Sequence, residues 1–416
     1  MFGSSKTTVT QAQVLDVLKT VMDPDLHRNI VELGFVKNLA IDGGKVRFDV
    51  DLTTPACPVK EQLKAECEQK VAALPGVKQV EVQMTATTTG RNFTGKAALL
   101  GVRNVIAIAS GKGGVGKSTT AVNLALALAE RGAKVGILDA DVYGPSIPMM
   151  LGVQKRPQMT PDKKILPIVA HGLASMSMGY LSDDNTPVIW RGPMVSGLIQ
   201  QFLSVVDWGA LDYLLIDLPP GTGDIQLTLC QQAPLAGAVI VTTPQDVSLL
   251  DARKGLKMFE QVNVPVLGLV ENMSFFVCGH CGGKTEIFRH GGGQGESVRL
   301  GVPFLGEVPL DPEVVLGGDS GQPIMLRNPK SAVSDAYRKI AGTMAAQLSI
   351  ANAQAPVQAN VKLFWNAGGA GGAAAAGGAP VGGPAPAHGH DHGHAHGHSH
   401  EHGHDHGHSH GPGCKH

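Results

Sequence analysis

A glycine-rich loop at residues 111–119 constrains the fold of this chain more than any other feature. It reads Gly-Lys-Gly-Gly-Val-Gly-Lys-Ser-Thr and matches the pattern G-x-x-x-x-G-K-[ST]. The run before it, residues 104–110, is apolar and β-branched, which predicts a buried strand. The run after it, residues 119–131, has helical apolar spacing and ends at Gly132. A strand, a loop of this type and a helix in this order predict an α/β sheet with an anion site at the helix N-terminus.

This loop offers the contacts that a nucleoside triphosphate needs. Its glycines let main-chain N–H groups turn toward the β-phosphate. Lys117 is expected to reach the β- and γ-phosphates, and the Ser118 hydroxyl is expected to ligate Mg²⁺. The predicted nucleotide-binding residues of the loop are Gly111, Lys112, Gly113, Gly114, Val115, Gly116, Lys117, Ser118 and Thr119.

The charge balance and the apolar pattern argue against several classes of protein. The chain has 34 basic and 35 acidic residues, so neither nucleic acid nor an anionic membrane is expected as the main partner. The apolar runs are shorter than the roughly 18 residues that span a bilayer, and the N-terminus has no signal-peptide core. We therefore expect a cytoplasmic protein. Six cysteines scattered over 416 residues are typical of ligands and core residues rather than disulfides.

Composition divides the chain into four parts. Residues 8–88 have the order α-β-β-α-β, which predicts a small α+β domain, and the polar residues 89–102 predict a linker. Residues 103–351 alternate apolar runs with helical segments, which predicts a mainly parallel sheet with helices on both faces. The strand candidates are 105–109, 135–139, 213–218, 238–243 and 266–271. Residues 352–416 predict a flexible Gly/Ala/Pro linker followed by a disordered, His-rich tail.

The tail is rich in metal ligands. Every second residue from His388 to His410 is histidine. Neutral imidazoles at this density bind Ni²⁺, Zn²⁺ and similar ions. Because a disordered segment imposes no fixed geometry, we expect a divalent-metal site of low selectivity there.

A second lysine in the loop narrows the class of nucleotide-binding protein. The run from Lys112 to Ser118 resembles the deviant Walker A motif of the MinD/ParA-type ATPases. The resemblance implies a homodimer in which Lys112 crosses the interface to the nucleotide of the other protomer. Such a lysine supplies positive charge where the transition state gains negative charge, as an arginine finger does.

The same resemblance extends to residues that act on the phosphates and the metal. Asp141 follows the predicted strand at 135–139 and matches the position that orients the attacking water. Lys112, Lys117 and Asp141 are therefore the predicted catalytic residues. Asp217 ends an apolar run similar to a Walker B strand and is expected to hold Mg²⁺ through water.

Positions that match the family's base contacts lie further along the chain. They are Asn272, after the strand candidate at 266–271, and Pro309 and Asp311 in the run Val-Pro-Leu-Asp. The guanine motif N-K-x-D is absent from the sequence. ATP is therefore the expected nucleotide.

Cys278 and Cys281 form a C-x-x-C pair. One chain thus supplies two adjacent thiolates, half of what a closed zinc or iron–sulfur site needs. A two-fold dimer would bring two such pairs together. The residues alone leave three alternatives open: a bridging [4Fe–4S] cluster, a structural Zn²⁺ on the same ligands, and a redox dithiol.

The combination of motifs resembles the Mrp (ApbC-like) iron–sulfur carrier ATPases over about residues 8–350. Matching stretches include residues 190–194, 217–224 and 271–275. The resemblance implies an ATP-hydrolysing homodimer that holds a labile [4Fe–4S] cluster at Cys278 and Cys281. It also implies an assembly scaffold as the donor of the cluster and apo iron–sulfur proteins as its clients.

Cys57 is a candidate third ligand. The pattern T-x-x-x-C-P around it, together with Asp23-Pro-Asp25, resembles the small domain of SufT-like iron–sulfur assembly proteins. A thiol between a strand end and a helix start is expected to have a lowered pKa and to be exposed to ligands. The alternative is a small buried residue without chemistry.

Two other functions compete with a cluster carrier. The His-rich tail favours a nickel or zinc metallochaperone NTPase, whereas the missing guanine motif and the Cys278/Cys281 pair argue against it. A positioning ATPase similar to MinD would carry a basic amphipathic C-terminal helix for the membrane. The sequence shows no such helix.

Overall fold

The computed structural model describes residues 9–88, 90, 99, 101–181 and 192–354. All of these residues belong to one compact unit that extends from Met1 to Gln358. No helix in these ranges is long and apolar enough to cross a membrane. The predicted His388–His410 metal site lies outside the described residues.

The first part of the chain forms a small sheet covered by helices. Its helix α1 begins after Thr10, whose hydroxyl accepts the Gln13 N–H while the Gln13 side chain accepts from the Thr10 N–H. The strands β3, β4 and β5 form one sheet in that order, antiparallel between the first two and parallel between the last two. The elements are α1 (Gln11–Leu18), β1 (Met22–Asp23), β2 (Arg28–Asn29), β3 (Val36–Asp42), β4 (Lys45–Leu52), α2 (Lys60–Ala72) and β5 (Gln79–Ala86).

The predicted α-β-β-α-β order is therefore present, with the short antiparallel pair β1/β2 added to it. Strand β4 alternates buried and more exposed residues, as expected for a sheet with one covered face. Its buried side chains Val46, Phe48 and Val50 form a core with apolar residues of α1 and α2.

The second part of the chain is an α/β fold. Its strands are β6 (Val102–Ala109), β7 (Val135–Asp139), β8 (Ile168–Ala170), β9 (Leu173–Ser177), β10 (Leu211–Asp217), β11 (Leu235–Thr242), β12 (Val266–Val277), β13 (Lys284–Thr285) and β14 (Phe304–Leu310). Its helices are α3 (Lys117–Glu130), α4 (Ile147–Met150), α5 (Gly192–Val205), α6 (Asp224–Gln232), α7 (Asp246–Gln261), α8 (Gly292–Leu300), α9 (Pro312–Asp319), α10 (Ile324–Arg327) and α11 (Ala332–Gln354).

These nine described strands form one largely parallel sheet. The order along it is β14-β12-β11-β6-β10-β7-β9-β8, with β13 paired to the far end of β12. Among these nine described strands, only β8 and β13 run antiparallel to their neighbours. Because the parallel strands share one direction, the residues that follow β6, β7, β10 and β12 meet along the same edge of the sheet.

The predicted strands are all present, and the largest difference concerns β12. It was expected to end at 271 but continues to Val277, where it pairs with β13 as a hairpin. The polar residues Glu271, Asn272 and Ser274 are buried, and they end the apolar run without ending the strand. The strands β8, β9, β13 and β14 were not predicted. The first three have only two to five residues, which carry too little periodicity.

The two parts of the chain are joined by a docked loop, residues 53–58, which we call the Cys57 loop. The Thr54 hydroxyl is hydrogen-bonded to the Tyr213 hydroxyl of β10 over 2.6 Å, and both side chains are buried. Ala56 is fully buried and belongs to the core cluster on the α3 and α11 side of the large sheet. Arg131, at the end of α3, donates to the Ala56 carbonyl. The small sheet is thereby anchored to the large one.

Candidate functional site

The glycine-rich loop adopts a conformation that only glycine takes without strain. It connects β6 to α3, as predicted, and Gly114 and Gly116 have φ angles of 81° and 80°. Gly116 is the N-cap of α3, and no side chain caps the helix. The first N–H groups of α3 are thus left for a ligand. At the other end of the loop, a Cβ atom on Gly111 would overlap the main chain of Asp251 in α7.

Lys117 and Asp217 form a buried ion pair at the foot of this loop. The ammonium of Lys117 donates to Oδ1 of Asp217 over 2.6 Å and lies 3.3 Å from the hydroxyl of Ser118. Burial raises the pKa of Asp217, and the positive charge of Lys117 opposes that shift. Oδ2 of Asp217 is buried and has no hydrogen-bond partner among the described residues. An unpaired carboxylate oxygen beside the Ser118 hydroxyl fits a site for Mg²⁺ or for water bound to it.

Asp139 adds a second buried carboxylate beside Asp217. The two residues are directly opposite each other in β7 and β10. Burial, followed by the charge of Asp217, raises the pKa of Asp139 to about 8. Asp139 accepts from the main-chain N–H groups of Asp141 and Ile147 and from the Ser177 hydroxyl. It therefore holds the turn that carries Asp141.

Asp141 lies in that turn and is partly exposed. Its Oδ1 accepts from the Gly144 N–H, and its charge contributes to the raised pKa of Asp217. It also lines a cavity of about 480 Å³, together with Tyr143 and Pro220. Asp141 is thus close to the Lys117/Asp217 pair and faces open space, which is compatible with its predicted role toward water.

Lys112 lies in the loop with a partly exposed side chain. Its carbonyl accepts from the Ser110 hydroxyl over 2.9 Å, so its main chain is fixed. Its predicted action on the nucleotide of a second protomer stays a prediction.

The predicted base contacts lie in two places. The Asn272 side chain is buried and donates to the carbonyl of Val115 over 2.8 Å, so it contacts the loop itself. Pro309 and Asp311 instead line a separate cavity of about 300 Å³ at the end of β14. The same cavity is lined by Phe276 and Val277 at the end of β12 and by Gly279, between the two cysteines.

Cys278 and Cys281 lie in the tight connection between β12 and β13, residues 278–283, which we call the cysteine hairpin. Cys281 is exposed and Cys278 is partly exposed. The Cys278 N–H donates to the Gly283 carbonyl, which closes the turn. The main-chain N–H groups of Cys281 and His280 lower the pKa of the Cys278 thiol. Both thiols are therefore accessible, and Cys278 favours the thiolate form that binds metal.

Cys57 does not have the predicted properties. It is 7% exposed, and burial raises the pKa of its thiol to about 11. The N–H of Val59, just before α2, acts in the predicted direction but is outweighed by burial. The expectation of a lowered pKa and an exposed thiol is therefore wrong, because Cys57 packs in the apolar core of the first part of the chain and α11 lies over its loop. A cavity of about 10 Å³, lined by Cys57, Ala346 and Ser349, has room for at most about one water molecule.

Some contacts around the site were not predicted because their residues carry no motif. Both oxygens of the buried Glu271 carboxylate accept hydrogen bonds, from the N–H groups of Gly291 and Gly293 at the start of α8. The Ser274 hydroxyl donates to Glu271 and to Glu307. Buried polar residues inside a strand are the signal that could have indicated this network.

The chain matches known proteins over most of the described residues. The family described as NUBPL iron-transfer P-loop NTPase matches residues 101–345, and the family described as iron-sulfur cluster assembly protein matches residues 11–84. The iron-sulfur cluster carrier protein of Synechocystis sp. is 52% identical over 349 residues, 82% of this chain and 99% of that protein. The protein of the same name from Escherichia coli is 44% identical over 340 residues, 81% of this chain and 92% of that protein.

A solved structure is also similar. The nucleotide-binding protein of Archaeoglobus fulgidus in complex with ADP has a TM-score of 0.51 and 39% identity. The match covers 57% of this chain and 93% of that one.

The loop, the buried Lys117/Asp217 pair and the parallel sheet define a P-loop NTPase. More narrowly, the chain belongs to the NUBPL iron-transfer P-loop NTPase family, preceded by a segment of the iron-sulfur cluster assembly family. The resemblance seen in the sequence is confirmed. The nickel or zinc metallochaperone alternative finds no support in these relatives.

Proposed function

We propose that the protein is an ATP-hydrolysing iron–sulfur cluster carrier. The observation that carries the proposal is the cysteine hairpin, which presents an exposed thiol pair, with a lowered pKa for Cys278, on a P-loop NTPase. The names of the relatives from Synechocystis sp. and Escherichia coli support the same function.

The cluster is the cargo, and its binding needs a second copy of the chain. One hairpin supplies Cys278 and Cys281, whereas a [4Fe–4S] cluster is held by four thiolates. A homodimer with a two-fold axis near the hairpins completes the set, and exposure of Cys281 is compatible with this. Apo iron–sulfur proteins are the proposed clients, and an assembly scaffold is the proposed donor.

The nucleotide site assigns roles to the chain's own residues. In this proposal the N–H groups of residues 113–119 bind the β-phosphate, and Lys117 turns from Asp217 to the phosphates when nucleotide binds; the absence of a side-chain cap on α3 supports this. Asp217 and Ser118 would then hold Mg²⁺, which supplies charge neutralisation on the phosphate oxygens. Asp141 orients the attacking water, and Lys112 acts on the nucleotide of the other protomer. Asn272, Pro309 and Asp311 are the proposed contacts of the base.

Reconstitution tests this function. The full chain is purified without oxygen, supplied with iron and sulfide, and assayed for bound iron, sulfide, the visible thiolate-to-iron absorption band and mass in solution. We expect two iron and two sulfide per chain in a dimer, since one [4Fe–4S] cluster is shared by two chains. The double variant C278A/C281A should lose the band and the sulfide.

Cys230→Ala provides the matched control, because it removes a fully buried thiol of α6 and leaves the hairpin intact. Iron held by tail histidines would carry no sulfide, so the sulfide content distinguishes a cluster from iron bound at the tail. Bound zinc at the hairpin cysteines with no sulfide would contradict the carrier function.

A further inference from the structure

The nucleotide loop and the cysteine hairpin are joined by a single strand. Strand β12 contacts the loop at Asn272, whose amide donates to the carbonyl of Val115. Five residues later the same strand ends at Val277, and Cys278 follows. A Cβ atom on Gly116 would overlap Nδ2 of Asn272 and lie 3.7 Å from Cε of Met273. The loop and β12 are therefore in direct contact, so that displacement of one displaces the other.

This strand is irregular between those two points. Met273 has a φ angle of 56°, in the left-handed region that a residue with a side chain adopts at a cost. The register between β12 and β14 shifts between Asn272 and Phe276. A strained residue and a shifted register in one short segment mark a place where β12 can change conformation without breaking the sheet.

Both flanks of the irregular segment are held in place. Before it, the Glu271 carboxylate accepts from the first N–H groups of α8. After it, the Ser274 hydroxyl bridges Glu271 and Glu307 of β14. A change in conformation is thereby concentrated at Met273 rather than spread along the strand.

Beyond the segment, the cysteine hairpin shares a cavity with the predicted base contacts. Phe276, Val277 and Gly279 line the 300 Å³ cavity together with Pro309 and Asp311. The volume is at the lower end of the range for small-molecule sites. A base that contacts Pro309 and Asp311 would therefore also contact the hairpin.

We propose that β12 transmits nucleotide occupancy to the cysteine pair, and that Met273 is the positioning residue of this link. The inference rests on the proposed function, since it concerns regulation of the same site. Nucleotide in the loop moves Asn272, the left-handed Met273 converts that movement into a shift of the hairpin, and the exposure of Cys278 and Cys281 changes.

The test measures this coupling in the full chain without cluster. The rates at which Cys278 and Cys281 react with iodoacetamide are compared with and without a non-hydrolysable ATP analogue plus Mg²⁺, by mass spectrometry. For the unaltered protein we expect the rates with and without the ATP analogue to differ by at least about 5-fold. Met273→Gly removes the strain and should reduce the difference below about 2-fold while nucleotide still binds.

Two control variants distinguish loss of the proposed β12 link from the effect of a missing side chain and from a general change in stability. Met273→Ala keeps a side chain in the left-handed region, so it should keep the nucleotide effect. Asn263→Gly likewise places glycine at a left-handed residue, with a φ of 55°, in the turn before β12. This variant should also keep the nucleotide effect. Equal nucleotide effects in Met273→Gly and the unaltered protein would overturn the proposal.

Dimerisation is followed in the same samples by sedimentation. If Met273→Gly loses the nucleotide effect only because it no longer dimerises, the proposal is wrong. Iron and sulfide loading is measured separately: a chain that shows the nucleotide effect but binds no cluster would refute the carrier function and leave the link intact.

Discussion

The cysteine hairpin and the Cys57 loop are both turns that follow a strand, yet their thiols have opposite properties. Cys278 is partly exposed, and main-chain N–H groups lower the pKa of its thiol. Cys57 is buried, and its pKa is raised to about 11 although the Val59 N–H favours the thiolate. The difference lies in what surrounds each turn: Cys281 is exposed among the described residues, whereas Cys57 packs in the apolar core of the first part of the chain with α11 over its loop.

This comparison shows that a local cysteine motif does not determine reactivity. N–H groups act on both thiols in the same direction, and the cost of placing a negative charge away from water decides the result at Cys57. The chain thus holds one cysteine site ready for a ligand and one that is closed in this conformation.

The largest predicted difference is in alkylation at pH 8. With a pKa of about 11, about one Cys57 thiol in a thousand is ionised at that pH, and burial slows access further. We expect Cys57 to react with iodoacetamide at least about 100-fold more slowly than Cys281 in cluster-free protein. Mass spectrometry of peptides gives both rates, and unfolding in urea should make them similar. Comparable alkylation rates for Cys57 and Cys281 in the folded protein would contradict the predicted difference between the two sites.

A smaller effect is predicted in the dependence of stability on pH. The Cys57 pKa is raised from 9.0 in the unfolded chain to about 11 in the folded one, so its contribution is present below pH 9 and is lost as pH rises to 11. The stability advantage of the unaltered protein over Cys57→Ala should therefore shrink by about 2 kcal/mol between pH 9 and pH 11.

Urea unfolding at several pH values measures this advantage. The buried thiol of Cys67 and the buried tyrosines are present in both proteins, so their contributions cancel. A constant difference between the two proteins over this range would mean that Cys57 is not buried as described.

The smallest predicted effect concerns the contact that closes the Cys57 loop. Tyr213→Phe removes the 2.6 Å hydrogen bond to Thr54, at a cost of about 1 kcal/mol. If the loop must undock before Cys57 reacts, its alkylation should become about 5-fold faster. Tyr180→Phe is the matched control, since it removes a 2.8 Å hydrogen bond to Ser175 within the large sheet. An equal effect of both variants would indicate general destabilisation rather than undocking.

Features encoded by neighbouring residues were predictable. The position of Gly111–Thr119 between β6 and α3 follows from a local pattern, and so does the α-β-β-α-β order of the first part. Asp217 was expected at a strand end and is there, because a continuous apolar run specifies the strand before it.

Features that depend on distant residues were not predictable. Docking of the Cys57 loop requires α11, which comes almost 300 residues later and shares no pattern with that loop. The left-handed Met273 had no signal in the sequence, since methionine has no preference for that conformation. The ion pair of Lys117 with Asp217 joins two residues whose motifs predict separate roles at the phosphate and the metal.

The docked Cys57 loop also sets an order of events during synthesis. Thr53 is hydrogen-bonded to Ser349, which lies 296 residues further along the chain. At 5 to 20 residues per second, a ribosome needs about 15 to 60 s to make that stretch. Throughout this interval the first domain is outside the ribosome with Ala56 uncovered, because the apolar cluster that buries Ala56 includes residues of α11. The newborn chain therefore passes through a stage in which the docking surface of the Cys57 loop is exposed to other proteins, and completion of α11 ends it.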